Sequence, residues 1–387
     1  MMDNLISRAI NSLIKGRERI LEGKINSIPS SFPRVRDDFL GVQQGRYVVI
    51  TSSTKGAKTQ FASHEFIYRP LLYAYEHPEQ IRIKIFYFPL EETPENIMVR
   101  FMSYLLFTRS GHKTRLSPTE LRSFNNNPLN QEIIDILNTE EYQSILRFFE
   151  ENVIFCSSTN PYGIYKECLE YAKNNGTIYT KKQLITDDFG ITKEVDVFDR
   201  YEANDPEEYR IVFIDHIGLI GTEKGCTLKQ SIDKLSSEYC VKLRNDYNFS
   251  PVVIQQQAFV GENLDAFKEN KLRPTIANLS DSKYPARDAD MCLGLFSPFK
   301  YELKEYMGYD ITKLRDNIRF LEVLINRNGS MGGIIGLYFD GAVNYFKELP
   351  KPDEVTKLTK IYDYLRKLRN PQPAISLLAY AKTLFKN

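Results

Sequence analysis

Short runs of β-branched and aromatic residues recur along the chain, separated by longer stretches in which apolar residues return every three or four positions. The runs are Gly45 to Thr51, Ile81 to Leu90, Val153-Ile154-Phe155, Ile211 to Ile214, Pro251 to Ile254, Met291 to Phe296 and Phe320 to Ile325. Most are too uniformly apolar to have one wet face, so they predict strands of a sheet covered on both sides. Between them lie helical spacings: Thr59 to Tyr68; Ile97, Met98, Phe101, Met102 and Leu105; Ile164, Cys168, Leu169 and Ala172; and Leu228, Ile232, Leu235 and Tyr239. This alternation predicts parallel strands joined by crossover helices, an α/β fold with a mainly parallel central sheet.

Punctuation fits the pattern. Thr93 is a good N-cap and Pro94 a good first helical residue, which starts a helix directly after the Ile81 to Leu90 strand. Asn175-Gly176 closes the helix that carries Ile164 and Cys168. Residues 108 to 152 read as polar and mostly helical, and residues 177 to 209, acidic and aromatic without clear period, as an inserted surface excursion. Ahead of the first strand, Leu5, Ile6, Ala9, Ile10, Leu13 and Ile14 form a helical stripe that ends before the prolines of Ile28 to Pro33. That stripe packs either on its own domain or on a neighbouring subunit. After Pro350, Val355, Leu358, Ile361, Tyr362 and Leu365 predict an amphipathic tail helix that packs on its own domain or receives a partner. The expected division is therefore a linker helix over 1 to 27, one large α/β domain over 28 to 350, and a helical tail over 351 to 387.

Composition narrows the class. With Lys+Arg 51 against Asp+Glu 50 the net charge is +1, so any contact with nucleic acid must be local. Cys156, Cys168, Cys226, Cys240 and Cys292 form no C-x-x-C or Cys/His cluster, which speaks against zinc and for reduced, mostly buried thiols. No apolar run approaches about 18 residues and no signal peptide is seen, so the expectation is a soluble, cytoplasmic protein without membrane contact.

Chemistry gathers at the ends of the strands. Ser52-Ser53-Thr54-Lys55-Gly56-Ala57-Lys58-Thr59, between a strand and a helix, approximates the phosphate-loop pattern G-x-x-x-x-G-K-[ST], with Ser52 and Ala57 where both glycines belong. In such a loop Ser53 to Thr59 surround a polyphosphate with backbone N–H groups, Lys58 reaches the β/γ-phosphates and Thr59 ligates Mg²⁺. A polar turn capping a helix is the alternative reading of the loop alone. Glu91 ends a central strand, where ligands bind in open α/β sheets. Asp215 ends another, as a metal-directed carboxylate does. Three amides, Gln255-Gln256-Gln257, end a third.

Taken in order, these segments resemble the RecA-like motor domain of the DnaB-like replicative helicases over roughly residues 28 to 349. Arg273-Pro274-Thr275-Ile276-Ala277-Asn278-Leu279 through Asp288-Ala289-Asp290 is similar to that family's R-P-x-x-x-x-L leading to D-A-D. Phe88-Pro89-Leu90-Glu91 looks like its F-S-L-E, Ile214-Asp215-His216-Ile217 like its I-D-Y-L, Pro251-Val252-Val253 with Gln257 like P-V-V and its Gln, and Arg327-Asn328-Gly329 like the end of K-Q-R-N-G. Two departures stand out. Ile325 replaces a family Lys, and Ala57 replaces the Gly before the loop Lys. If that residue takes φ > 0, Ala costs about 1–2 kcal/mol relative to Gly, unless Gly56 takes over the turn.

The resemblance implies a P-loop ATPase that works as a homo-oligomeric ring, a hexamer, with ATP and Mg²⁺ held at subunit interfaces. Glu91 would be the catalytic base, Asp215 would support the metal, Gln257 would sense the γ-phosphate, and Arg327 would reach the neighbouring subunit's ATP. Single-stranded DNA would lie along loops 216 to 226 and 258 to 287, with Lys224, Lys271, Arg273, Lys283 and Arg287 as the local cations; solvated charges balanced by Glu262, Asp265 and Asp281 are the alternative. The residues before 28 are too few for the family's primase-binding N-terminal domain, so a short form such as phages encode is expected, with a primase or helicase loader as a further partner. A RecA-like recombinase filament and a non-hydrolysing helicase-derived scaffold are the competing functions.

Overall fold

The computed structural model of the chain describes residues 5–186, 192–258 and 272–369. Six strands lie parallel: Val48–Ser52 (β1), Arg82–Pro89 (β2), Val153–Phe155 (β3), Glu208–Asp215 (β4), Ser250–Gln256 (β5) and Met291–Phe296 (β6). Their order is β6-β1-β5-β4-β2-β3. Ile318–Asn326 (β7), Ile334–Asp340 (β8) and Tyr345–Glu348 (β9) extend the sheet antiparallel from β6, giving nine strands among the described residues.

Each apolar run divides its side chains between two cores, as the two-residue period of a strand requires. Val48, Ile50, Ile83, Ile85, Ile211 and Phe213 enter one, with Phe61, Phe101 and Phe149 from the covering helices. Val49, Phe86, Phe88, Val212 and Ile214 enter the other, with Cys168, Ile232, Leu235 and Leu243. That two-sided burial is why the runs read as continuously apolar.

The helix after the loop begins at Lys58–Ser63 (α2) and continues through a π segment His64–Tyr68 into Arg69–Glu76. Pro94–Arg109 (α3) is capped by Thr93, whose side chain accepts the Asn96 N–H at 3.4 Å. Pro161–Asn174 (α4) and Leu228–Lys234 (α5), the latter capped by a Thr227–Gln230 box, cover the other face.

Three expectations need correction. The α/β alternation stops at β7: residues 297–317 hold short turns of helix and a small hairpin, Glu305–Tyr306 with Tyr309–Asp310, instead of a crossover helix, and β7 returns antiparallel beside β6. Among the described residues, the 177–209 excursion holds regular structure that the sequence pattern gives no period for. Gly176–Thr186 pairs with Thr192–Ala203 in a two-stranded ribbon, and 208–209 already belong to β4. The ribbon's far half is solvated on both faces, with Leu184 70% exposed, so no inside–outside alternation exists to be read. Gly176 opens that ribbon instead of capping α4.

The terminal helices differ in how they bury their apolar stripes. Val355–Arg369 (α6) sets Leu358, Tyr364 and Leu365 into a third cluster with Leu314, Ile318 and Tyr338, so it packs on its own domain. Leu5–Leu21 (α1) leaves Ile6, Ile10, Leu13 and Ile14 exposed. It is tied to the body through Arg19, which pairs with Glu207. Among the described residues no helix is long and apolar enough to cross a membrane.

Candidate nucleotide site

Parallel pairing brings the chemistry to one edge. Ser52 of β1 lies opposite Gln256 of β5, and Pro89 of β2 opposite Asp215 of β4. The loop, Glu91, Asp215 and the Gln cluster therefore all emerge at the carboxyl ends of adjacent central strands, where open α/β sheets bind ligands.

The loop turns left-handed at a residue that is not glycine. Ala57 has φ 71° and ψ 26°, left-handed, and Lys55 is left-handed as well at φ 61°. Gly56 does not take over the turn, so Ala57 carries about 1–2 kcal/mol of strain relative to Gly. Gly56 has a different reason to be glycine: a Cβ there would lie 2.5 Å from Ser52 Oγ and 2.9 Å from Ser53 O. The side chain that Ser52 adds where the pattern has glycine fills the space that Gly56 vacates. Gly56 N–H closes the turn onto Ser53 O at 3.0 Å. Ser53 is buried, Thr54 half-buried and Lys55 exposed.

Lys58 opens α2, and the Thr59 hydroxyl donates to Asp215 Oδ1 at 3.2 Å. Asp215 is 3% exposed. Burial and then the negative charge of Glu91 push its carboxyl up to about 7, against the Thr59 hydrogen bond and Lys58. Burial also lowers Lys58, opposed by Asp215 and Glu91. A buried carboxylate facing a second carboxylate, with a hydroxyl beside it, is a site short of positive charge. The oxygen donors of Thr59 and Asp215 suit a hard cation such as Mg²⁺, which keeps several waters and shares phosphate oxygens. No group of three or more His, Cys, Asp or Glu that could hold a metal by itself occurs among the described residues.

Glu91 is exposed at the mouth of this edge without an ion pair among the described residues, whereas Glu92 is paired with Arg100. His216 Nδ1 accepts the Gly218 N–H at 3.2 Å, a turn-capping role.

The glutamines divide. Gln257 is 8% exposed; its amide donates to Thr51 Oγ1 at 2.8 Å and its oxygen accepts the Thr275 N–H at 3.2 Å. Gln256 is half-buried, and its amide donates to Thr54 Oγ1 at 2.6 Å. The side chain that touches the loop is thus Gln256, which the family spacing passes over.

Arg327 follows β7 at the opposite edge. Asn326 pairs with Met291, which pairs with Val48, at the entry end of β1. Arg327 is exposed there and its guanidinium donates to Arg287 O at 2.7 Å. Its turn is pinned by Asn326 Nδ2 donating to Asp38 O at 2.7 Å. Four strand steps of about 3.3 Å separate it from the start of the loop, beyond the reach of an arginine side chain.

The five cations assigned to DNA do not share one environment. Arg273 pairs with Glu322 at 3.4 Å. Arg287 lies over the Tyr284 ring at 3.8 Å. Lys224 and Lys283 are exposed. Lys271 lies outside the described residues. Asp288 and Asp290, part of the stretch with the most specific resemblance, are structural: Asp288 accepts the Ser236 hydroxyl at 3.0 Å, and Asp290 accepts the Tyr47 N–H at 2.9 Å and pairs with Arg244.

Solved structures share this architecture. One, described as an ATPase domain, aligns with a TM-score of 0.56 at 15% identity, covering 88% of this chain and 98% of that one. Another, a DnaB-like replicative helicase described with its interactions with primase, aligns with a TM-score of 0.55 at 16% identity, covering 87% of this chain and 66% of that one. The fold is the one these structures share, an α/β RecA-like core. No family model matches the sequence, and no curated protein matches it.

Proposed function

We propose that the chain is the ATP-driven motor of a ring-forming DNA helicase, hydrolysing ATP with Mg²⁺ between subunits to move along single-stranded DNA. The observation that carries this reading is the meeting of Lys58, Thr59, Glu91 and Asp215 at one sheet edge while Arg327 stands at the other.

In the proposed reaction Lys58 and the loop amides hold the β/γ-phosphates, and Thr59 and Asp215 hold Mg²⁺, which supplies charge neutralisation for the transferred group. Glu91, without an ion pair among the described residues, orients and deprotonates the attacking water. Gln256, through Thr54, and Gln257, through Thr51 and Thr275, link the loop to the segment leading toward the DNA. Arg327 completes the site of a neighbouring copy in a ring, a hexamer in the proposed form. The exposed stripe of α1 supports a linker role against that neighbour. Since one of the aligned structures is described with primase, a primase or a helicase loader is a fitting partner.

The deciding experiment is ATP turnover with and without single-stranded DNA, for the wild type, Lys58→Ala and Glu91→Gln. DNA-stimulated turnover lost in both variants supports the motor. A protein that binds ATP without turnover at high protein concentration identifies a scaffold. Turnover from open filaments instead of rings in electron micrographs identifies a recombinase-like ATPase.

A further inference from the structure

Arg319 lies apart from the catalytic groups and from the arginine offered to a neighbouring copy. It sits on β7, 2% exposed, with its guanidinium 4.5 Å from the centre of the Phe339 ring. Nη1 donates to Asp316 O and Ile318 O at 2.8 Å, and Nη2 donates to Asp316 Oδ1 at 2.9 Å. These contacts lie within its own turn and fix the direction of the group. Nε then donates to Gly56 O, in the loop, at 3.2 Å.

Peptide geometry makes that contact consequential. In a trans peptide the C=O and N–H of one plane point in opposite directions. Holding the Gly56 oxygen on the Arg319 side therefore holds the Ala57 N–H on the other side, where backbone N–H groups of such loops meet an anion. A left-handed alanine relaxes most easily by rotating this same plane, which trades φ of Ala57 against ψ of Gly56. A buried, three-way anchored guanidinium on the Gly56 oxygen opposes that rotation.

We propose that Arg319 is a positioning residue of the nucleotide site, which keeps the Gly56–Ala57 peptide turned so that the Ala57 N–H faces the phosphates and lets the loop work with alanine at 57. The inference rests on the reading of the loop as a nucleotide site. Arg319 touches no substrate; it acts through Gly56.

The test is a double-mutant cycle of Arg319→Met and Ala57→Gly, read as equilibrium binding of a fluorescent ATP analogue with Mg²⁺ alongside ATP turnover. Arg319→Met should weaken binding about tenfold in the Ala57 background, equivalent to about 1.4 kcal/mol. In the Ala57→Gly background the loss should shrink to about threefold or less, because glycine holds the left-handed turn unaided. Equal losses in both backgrounds would mean a packing defect and overturn the proposal. Asp316→Ala provides a second cycle that opens no cavity, since that side chain is 66% exposed. It should show the same coupling to Ala57→Gly at about a third of the size. If Arg319→Met does not fold, the Asp316 cycle decides alone, and absence of coupling there overturns the proposal. A wild type that binds no nucleotide defeats the nucleotide-site reading itself, whereas tight wild-type binding with uncoupled variants defeats only the role of Arg319.

Discussion

Arg327 offers the sharpest test of whether the site is shared between copies. It lies at the entry edge of the sheet and the loop at the exit edge, with Asn326, Met291 and Val48 in register at one end and Leu295 with Ser52 at the other. Arg327→Ala alone should lower turnover by about 10³–10⁵, the worth of such an arginine in related phosphoryl transfers. Lys58→Ala should be inactive for a different reason, loss of the phosphate contact. Mixed in equal amounts within one ring, the two variants generate competent interfaces only where an intact Lys58 meets an intact Arg327 from the next subunit. Random assembly around a closed ring makes that about one interface in four, so turnover should return to about a quarter of wild type. The assay is steady-state ATP hydrolysis on single-stranded DNA after co-refolding, with subunit mixing verified by native mass spectrometry. Verified mixed rings that turn over no faster than either parent would refute the argument, since an arginine acting within its own chain cannot be complemented.

The remaining expectations concern the glutamines, the cations and α1. Gln256→Ala removes a half-buried contact to Thr54, so turnover should fall with little change in a urea melt. Gln257→Ala removes a buried amide from Thr51 and Thr275 and should cost about 1–3 kcal/mol of stability in the same melt; the opposite ranking would reverse their roles. Lys224→Ala and Lys283→Ala should each lower the log–log salt slope of single-stranded DNA binding by about 0.7. Arg273→Ala, whose charge is already paired with Glu322, should leave that slope nearly unchanged. Leu13→Asp, at a position 74% exposed, should disperse the oligomer in sedimentation while leaving the melting of the isolated chain in place; a lowered melting temperature would show instead that the stripe packs at home.

Much of the fold was legible because burial on both sheet faces writes itself into the sequence as uninterrupted apolar runs, and Met291 to Phe296 was bounded to the residue. The ribbon was not, because its far half, solvated on both faces, leaves no period, and β7 gave no sign of direction because pairing sense is not encoded in apolarity. At the proposed site, Lys58 was singled out by the loop pattern and Glu91 and Asp215 by their positions at strand ends, whereas Arg319 and Gln256 depend on contacts between segments far apart in the chain. The loop departs from its template at two positions, Ser52 and Ala57. Ser52 carries an Oγ where the pattern has glycine, and a Cβ on Gly56 would sit 2.5 Å from it. Gly56→Ala should therefore abolish nucleotide binding. Adding Ser52→Gly removes the closest clash, but Ser53 O remains 2.9 Å away as backbone, so binding should recover only in part, still about tenfold weaker than wild type if about 1.4 kcal/mol of strain persists. Isothermal titration with an ATP analogue distinguishes the outcomes, and a double variant no better than Gly56→Ala alone would show that Ser52 and Gly56 do not share this space.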